Sequence, residues 1–358
     1  NWTKNVTVDL LMKWDPELQY LIYPAGRVAG KNDYALNMSE ASARATLEAL
    51  FSYITESLGG TRGTDEGGWF EGEGSKSPRN FRVSNWVLGN EVNACKAWNF
   101  AGNVSTQECA DNYARAFQVL YQAVKKSDRN ARVFISLDHT WTAWTSDGHP
   151  GKEYLDRFAY YMHATEPQME WHVDYHPYSN PLYRNDFWND WSSTSGSEYT
   201  SYISMNNLWV LTNYLKKIES RYGIKNTDDA GNPDPTGGIR VILGEQGYIA
   251  ANSSQEGSQA AATAYEFYIA SANTKVDAIM NRAYLDDSAE GIMTLGLRYN
   301  WSAKNHPAKK AYSVVKHMDD PDALTNATVN QYARYVRSGA SEWTNILSGL
   351  KTETFYRP

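Results

Sequence analysis

Two glutamates occupy positions in the sequence where carboxylates can act as a catalytic pair. Glu91 ends the segment Trp-Val-Leu-Gly-Asn-Glu, and Glu245 ends the segment Arg-Val-Ile-Leu-Gly-Glu. Each segment is an apolar run that stops at a glycine before the acid, and a carboxylate there is costly unless it faces a polar opening. Cleavage of a glycosidic bond needs two such acids, one to protonate the leaving oxygen and one to attack the anomeric carbon or activate water. The simpler interpretation is that each glutamate pairs with an arginine or caps a helix.

The elements that position these acids follow a repeating pattern. Short apolar runs alternate with helical patterns, which is typical of βα units around a parallel sheet. The pattern predicts strands at residues 6–12, 83–88, 133–137, 171–175, 239–243, 278–285 and 292–297. It predicts helices at residues 41–58, with Ser39 as N-cap, and at 106–126, 152–165, 205–222, 255–272, 308–318 and 329–350. The prediction is therefore an α/β fold, a (β/α)-barrel in a single domain over residues 1–358, with Glu91 and Glu245 at its active face.

Composition limits the classes of partner. The chain has 358 residues, a net charge of −7, 21% charged and 42% apolar residues, as expected of a globular protein rather than a disordered one. The negative charge argues against a nucleic-acid partner, and no apolar run is long enough to span a membrane. No cofactor is predicted. No signal peptide is visible, but the first residue is not Met, and we expect a secreted, cell-surface or periplasmic protein.

Aromatic residues and cysteines each leave two interpretations open. The 13 Trp and 25 Tyr residues fit either ordinary packing or a sugar-binding cleft, because flat rings stack on the apolar faces of pyranoses. Cys95 and Cys109 are close enough in sequence to form a disulfide, but two isolated thiols fit equally well. The long segment from Ser179 to Thr200 follows a predicted strand, so it is placed to border the active face.

The order and spacing of the acidic motifs resemble clan A of the glycoside hydrolases, and the chain is also similar to an uncharacterised bacterial family of glycosidase-like barrels. In clan A, Asn-Glu follows strand four and a lone Glu follows strand seven, three βα units later. The resemblance implies a (β/α)8 TIM-type barrel and a retaining mechanism. It implies that Glu91 is the acid/base, that Glu245 is the nucleophile and that Asn90 binds the sugar 2-hydroxyl.

The same resemblance assigns roles at the other strand ends. His176 first, and Tyr178 second, would hydrogen-bond the nucleophile at the end of strand six. An aromatic ring at the end of strand eight would form the floor of the sugar site, a role that falls to Trp301. The end of strand five would contribute further sugar contacts from His139, Trp141 and Trp144.

The start of the chain departs from the clan pattern. Three βα units are expected before the Glu91 strand, but the sequence shows only one convincing strand and one convincing helix there. Either the run 6–12 is strand three and the first two units precede residue 1, or the early strand count is wrong. An open sheet of this kind would have two edges that something else must cover.

Two other classes of function remain to be compared. A metal-dependent hydrolase is suggested by Asp138, His139, His172 and His176. However, His172 and His176 lie on one predicted strand about 13 Å apart, so they cannot share an ion, and no metal site is predicted. A non-catalytic sugar-binding barrel would keep the aromatic rings while the acids lose their roles. Turnover of a glycan would distinguish it from an enzyme.

Overall fold

A computed structural model describes residues 4–59, 81–225, 237–300, 305–318 and 326–347. The strands are β1 Lys4–Leu10, β2 Phe81–Leu88, β3 Arg132–Leu137, β4 His172–Tyr175, β5 Val241–Gln246 and β6 Val276–Asn281. The longer helices are α1 Ala41–Leu58, α2 Thr106–Ser127, α3 Gly151–Thr165, α4 Trp209–Tyr222, α5 Glu256–Ala272 and α6 Lys310–His317. Three short helices follow, α7 Ala327–Asn330, α8 Ala333–Val336 and α9 Thr344–Leu347. The fold is α/β.

The six strands form one sheet in the order β1-β2-β3-β4-β5-β6. Strand β2 pairs in parallel with β1 and with β3, and β5 pairs in parallel with β6. Every residue of β4, and all but the first of β3, is buried, as in parallel strands that are covered on both faces. The residues that the structure describes thus contain six strands and not the eight of a complete barrel.

The chain divides into two compact units, Asn1–Asp138 with Ala143–Asp174, and His139–Thr142 with Tyr175–Pro358. In the first unit, α2 begins at a capping box, in which Ser105 accepts from the Glu108 amide and Glu108 accepts from the Ser105 amide. The buried face of α2 packs against α3 through aromatic rings. Phe158 of α3 lies 5.2 Å from Phe117 and 5.8 Å from Tyr113, between ring centroids.

The second unit has its own core around α5. Ala260, Ala261 and Ala264 of α5 are completely buried and form one apolar cluster with residues of α6 to α9. Trp343, which is fully buried, donates its indole N–H to the Val329 carbonyl at 2.9 Å. The small side chains of α5 allow the C-terminal helices to pack closely, so these helices complete this core.

Most predicted elements are confirmed, and the differences fall at ends and in the last third. The run 292–297 forms no strand, and β6 ends at Asn281 rather than at residue 285. The predicted helix 329–350 is replaced by short helices within its described part. Ser39 is not the N-cap of α1, because Glu40 occupies that position and Ser39 instead donates its hydroxyl to Asn37 Oδ1. The single domain over residues 1–358 stays a prediction.

Candidate active site

Glu91 lies in a tight turn directly after β2, in the first unit. Gly89 has a φ of +73°, and Glu91 itself has a φ of +43°, a left-handed conformation that is uncommon for residues other than glycine. The Glu91 amide donates to the Ser136 hydroxyl at 3.2 Å, and the next amide, of Val92, donates to the Ser136 carbonyl at 2.9 Å. Such strain persists only where surrounding contacts impose it, and it clusters at functional sites. The end of β3 thus fixes the backbone of a partly exposed glutamate.

Asn93 is a site residue to which the sequence analysis gave no role. Its side chain is fully buried, donates to Asp138 Oδ1 at 2.7 Å and accepts from the Asp138 amide at 3.1 Å. It also donates to the His149 carbonyl at 3.2 Å. A disulfide between Cys95 and Cys109 ties the same loop to the first turn of α2, which settles the open question about these cysteines. The loop that carries Glu91 is therefore held at several points.

Glu245 lies near the end of β5, in the second unit, with its side chain 27% exposed. The Tyr178 hydroxyl donates to Glu245 Oε1 at 2.8 Å, and Arg282 Nε lies 3.5 Å from the same oxygen. In the part of the chain that the structure describes, Oε2 has no hydrogen-bond partner. The carboxylate is thus anchored through one oxygen while the other is available to a ligand.

Arg282 and Glu290 also belong to this site, and the sequence analysis missed both. Arg282 comes directly after β6 and forms a second ion pair, with Glu290. Its amide donates to the Gln246 carbonyl at 2.7 Å, and a side chain on Gly247 would collide with the Arg282 carbonyl. A correct strand end would have identified Arg282 from the sequence. If the strand is ended at Asn281, the next residue is an arginine at the active end of β6.

Tyr178 is itself positioned by two histidines. The ring is 6% exposed, the Tyr178 amide donates to the His176 carbonyl at 2.9 Å, and His139 Nδ1 lies 2.8 Å from the Tyr178 carbonyl. A carbonyl can only accept, so Nδ1 of His139 carries a proton. The hydroxyl that meets Glu245 comes from Tyr178, which was the second choice for this role after His176. His176 is 2% exposed.

The predicted aromatic contacts have different surroundings. Trp141 is fully buried, its indole N–H donates to the Glu198 carbonyl at 2.9 Å, and its ring meets Tyr214 edge-on at 5.2 Å. It therefore has no exposed ring face for a sugar in this structure and packs the fold instead. Trp144 is 66% exposed, with His149 against its ring at 5.6 Å. Trp301 lies outside the described residues.

A buried polar cluster lies behind Glu245, made by Gln246, Tyr248 and Glu266. All three are at most 2% exposed. The Tyr248 hydroxyl and the Gln246 amide lie near the Glu266 carboxyl, but neither reaches hydrogen-bond geometry with it. Burial raises the pKa of Glu266 to about 8, an effect that these two neighbours partly offset. At neutral pH the carboxyl on α5 therefore keeps its proton, which avoids an unpaired buried charge next to the strand of Glu245.

Glu266→Gln should remove a pH dependence of stability. Between about pH 5 and pH 8 the folded protein keeps a proton on Glu266 that the unfolded chain has released, so the free energy of unfolding falls as pH rises. The slope from this group approaches about 1.4 kcal/mol per pH unit. Glutamine is neutral and nearly isosteric, so urea unfolding at several pH values should show a flatter profile for the variant.

The matched control is Glu256→Gln, which changes a partly exposed glutamate on the same helix. The contribution of Glu266 to the slope between about pH 5 and pH 8 should persist in this variant, because Glu266 itself is unchanged. Identical slopes for the wild type and Glu266→Gln would show that Glu266 does not bind the proton.

Within the ranges that the structure describes, no three His, Cys, Asp or Glu side chains are grouped so that they could hold a metal ion. Within the same ranges, no helix is both long enough and apolar enough to cross a membrane.

Three solved structures resemble the chain at low similarity. A glucosidase from Croceicoccus marinus has 13% identity and a TM-score of 0.41, over 66% of this chain and 37% of that one. An alpha-L-arabinofuranosidase from Thermotoga maritima has 14% identity and a TM-score of 0.39, over 75% and 45%. The protein GH5_18 from Streptomyces cattleya, in complex with GlcNAc, has 13% identity and a TM-score of 0.46, over 94% and 62%. The chain thus spans less than two thirds of each of these proteins.

Sequence comparison identifies a family whose description names no reaction. No curated protein matches the chain. One family model, described as a family of unknown function, DUF5722, matches residues 3–346. The match covers nearly the whole chain, and the chain belongs to the DUF5722 family.

Proposed function

We propose that the protein is a retaining glycoside hydrolase of the clan A type, in which Glu245 is the nucleophile and Glu91 the acid/base. The observation that carries this proposal is the anchoring of Glu245 through Oε1 by Tyr178 at 2.8 Å and by Arg282 at 3.5 Å. A nucleophilic carboxylate must present one oxygen to the anomeric carbon in a fixed direction. The contacts of Glu245 leave Oε2 for this attack.

Glu91 supports the proposal through its backbone. The acid/base must reach the leaving oxygen and later a water molecule, so it needs a fixed position and access to solvent. Glu91 is partly exposed, and its left-handed turn is held by Ser136 and by the Asn93 contacts on the same loop. Asn90, which is also partly exposed, is proposed to bind the 2-hydroxyl of the sugar.

The other sugar contacts remain proposals with different support. Trp144 has an exposed ring and His139 is partly exposed, so both can meet a ligand without rearrangement. His176 is proposed to support the site next to Tyr178, because the His176 carbonyl accepts a hydrogen bond from the Tyr178 amide. Trp141 would need to leave its buried position. The role of Trp301 was tied to a strand eight at 292–297, but that run forms no strand, and in the scheme below β6, ending at Asn281, takes the place of strand eight.

The proposed reaction proceeds in two displacements. Glu91 protonates the glycosidic oxygen while Glu245 attacks the anomeric carbon, so the leaving sugar departs as an alcohol and a glycosyl ester forms on Glu245. Glu91, now a carboxylate, then removes a proton from water, which attacks the same carbon and releases the Glu245 carboxylate. Two inversions give overall retention. In this scheme β1 to β6 correspond to strands three to eight of a (β/α)8 barrel.

Turnover with defined stereochemistry tests the proposal. Plant, algal and microbial polysaccharides are incubated with the wild type, and released sugars are followed by proton NMR from the first minutes. We expect hydrolysis of at least one polysaccharide, with the first anomer of the product matching that of the bond cleaved. An inverted first anomer would exclude the double displacement. Binding of a polysaccharide to the protein without any hydrolysis would favour the non-catalytic sugar-binding barrel.

We also propose that the protein works in an oxidising compartment, as a secreted, cell-surface or periplasmic protein. The support is the Cys95–Cys109 disulfide, because disulfides persist in oxidising environments and are rare in the cytosol. Polysaccharides too large to enter a cell would be met in the same place.

A further inference from the structure

A pocket of about 460 Å³ lies in the second unit, outside the site built around Glu245. The segment after β4 contributes Tyr183, Arg184 and Asp186 to its lining, and the segment after β5 contributes Ile249. Its volume falls in the range of roughly 300–1,000 Å³ that is usual for small-molecule sites. Ile249 follows Glu245 by four residues, so their Cα atoms are within roughly 14 Å of each other.

The pocket is held together by one asparagine. The Asn185 side chain donates to the Ile249 carbonyl at 2.8 Å and to the Ser258 hydroxyl at 3.0 Å, and it accepts from the Ile249 amide at 2.9 Å. These three bonds join the segment after β4 to the segment after β5 and to the first turn of α5. The pocket is therefore preformed, which reduces the entropy cost of binding a ligand.

Charged groups in and behind the pocket carry a net negative charge. Arg184 Nε donates to Asp186 Oδ1 at 3.1 Å, and Arg184 Nη1 lies 3.5 Å from Asp190 Oδ1. Asp190 is fully buried, so it fixes the guanidinium from beneath while Asp186 remains partly exposed. Two acidic side chains lie against one arginine, and this excess of acidic groups disfavours uronates and sulfated sugars.

An exposed aromatic ring completes the lining. Tyr183 is 55% exposed although it lies in the pocket wall, so its ring is open to a ligand. An exposed ring beside fixed polar groups suits a pyranose, whose apolar face stacks while its hydroxyls bond to groups such as the Arg184–Asp186 pair.

We propose that this pocket is a second sugar-binding subsite. It holds a neutral segment of a long oligosaccharide substrate while another part of the same substrate molecule lies at Glu245. The proposal rests on the proposed glycosidase function for the identity of its ligand. It makes the substrate a neutral polysaccharide or oligosaccharide rather than a short glycoside. Binding at the pocket then contributes to the rate only when the substrate is long enough to reach it.

Chain-length dependence tests the subsite. The variant is Tyr183→Ala, and the matched control is Tyr199→Ala, which removes another exposed tyrosine of the 179–200 segment that does not line the pocket. The substrates are a ladder of oligosaccharides from the polysaccharide that the wild type degrades, and the aryl glycoside of its terminal sugar. We expect Tyr183→Ala to lower kcat/KM about three- to tenfold on the long members and not on the aryl glycoside. Equal effects at every length, or equal effects of Tyr199→Ala, would overturn the proposal.

Binding in the absence of hydrolysis separates the subsite from the catalytic proposal. Glu245→Gln protein is run in native gels that contain xylan, mannan, β-glucan, alginate or polygalacturonate, with and without Tyr183→Ala. We expect retardation by a neutral polysaccharide that Tyr183→Ala weakens. If this occurs while the wild type hydrolyses nothing, the subsite stands and the glycosidase proposal fails. Retardation only by the two anionic polymers, or none that depends on Tyr183, would overturn the subsite.

Discussion

Glu245→Ala is expected to abolish turnover on every substrate, with a loss in kcat on the order of 10⁴-fold or more. Glu245 is anchored through one oxygen by Tyr178 and Arg282, and no other group is proposed to form the covalent bond to the anomeric carbon. A better leaving group cannot compensate, because the missing step is the attack itself. The measurement is the initial rate on the degraded polysaccharide and on its dinitrophenyl glycoside, with circular dichroism to show that the variant is folded.

The matched control for this loss is Glu290→Gln. Glu290 shares Arg282 with Glu245 but has no proposed bond to the sugar, so its replacement changes the electrostatic surroundings and keeps the nucleophile. We expect a much smaller reduction in rate. Azide added to Glu245→Ala should enter the space left by the carboxylate and give a glycosyl azide of inverted configuration. Residual wild-type activity in Glu245→Ala would assign the nucleophile elsewhere.

The positions of the two acids were predictable because local patterns determine them. An apolar run that ends at Gly-Glu or Gly-Asn-Glu leaves little choice of strand end. The structure places Glu91 just after β2 and Glu245 at the second-to-last residue of β5. The bounds of α1 were predicted to the residue, because its alanine-rich sequence is bounded by Gly59. Strong periodicity and glycine boundaries carry this information without tertiary contacts.

The last strand was predicted less well, for a physical reason. Apolar residues resume after Asn281 and Arg282 and continue to Leu285, so local composition alone does not end the strand at Asn281, where β6 stops and Arg282 begins its contacts with Gln246 and Glu245. Such an end is set by neighbouring segments and not by local composition. The predicted strand therefore includes Arg282, and its C-terminal end at residue 285 lies four residues beyond the observed end of β6.

The roles of the aromatic rings could not be obtained from composition. Trp141 and Trp144 are three positions apart in one loop, yet Trp141 is fully buried against Tyr214 and Trp144 is 66% exposed. The difference depends on a segment far along the chain, since Trp141 donates to the carbonyl of Glu198. Ring burial is a tertiary property, and a count of tryptophans cannot distinguish packing from binding.

Glu91→Ala should slow the hydrolysis of unactivated glycans by about 10²- to 10⁴-fold, because the leaving oxygen then departs without a proton. The loss should be smaller on a dinitrophenyl glycoside, since that phenolate leaves readily without protonation. On such a substrate the first step proceeds and the second becomes limiting, because water has lost its general base. A burst of dinitrophenol followed by a slow steady rate, recorded by stopped-flow absorbance, is the expected signature of an accumulating glycosyl ester on Glu245.

Azide should then restore the steady rate of Glu91→Ala and reveal which face is attacked. Azide is already an anion, so it needs no base, and it attacks the anomeric carbon of the ester and releases the Glu245 carboxylate. That carbon has been inverted once by Glu245, so the product should be a glycosyl azide of retained configuration. The turn that holds Glu91 is fixed by the hydroxyl and carbonyl of Ser136 and by Asn93, so truncating the Glu91 side chain should leave this space open without moving the loop. Retained azide from the Glu245 variant, with inverted azide from the Glu91 variant, would mean that the two roles are exchanged. Loss of activity in both variants without rescue would leave the covalent mechanism without support.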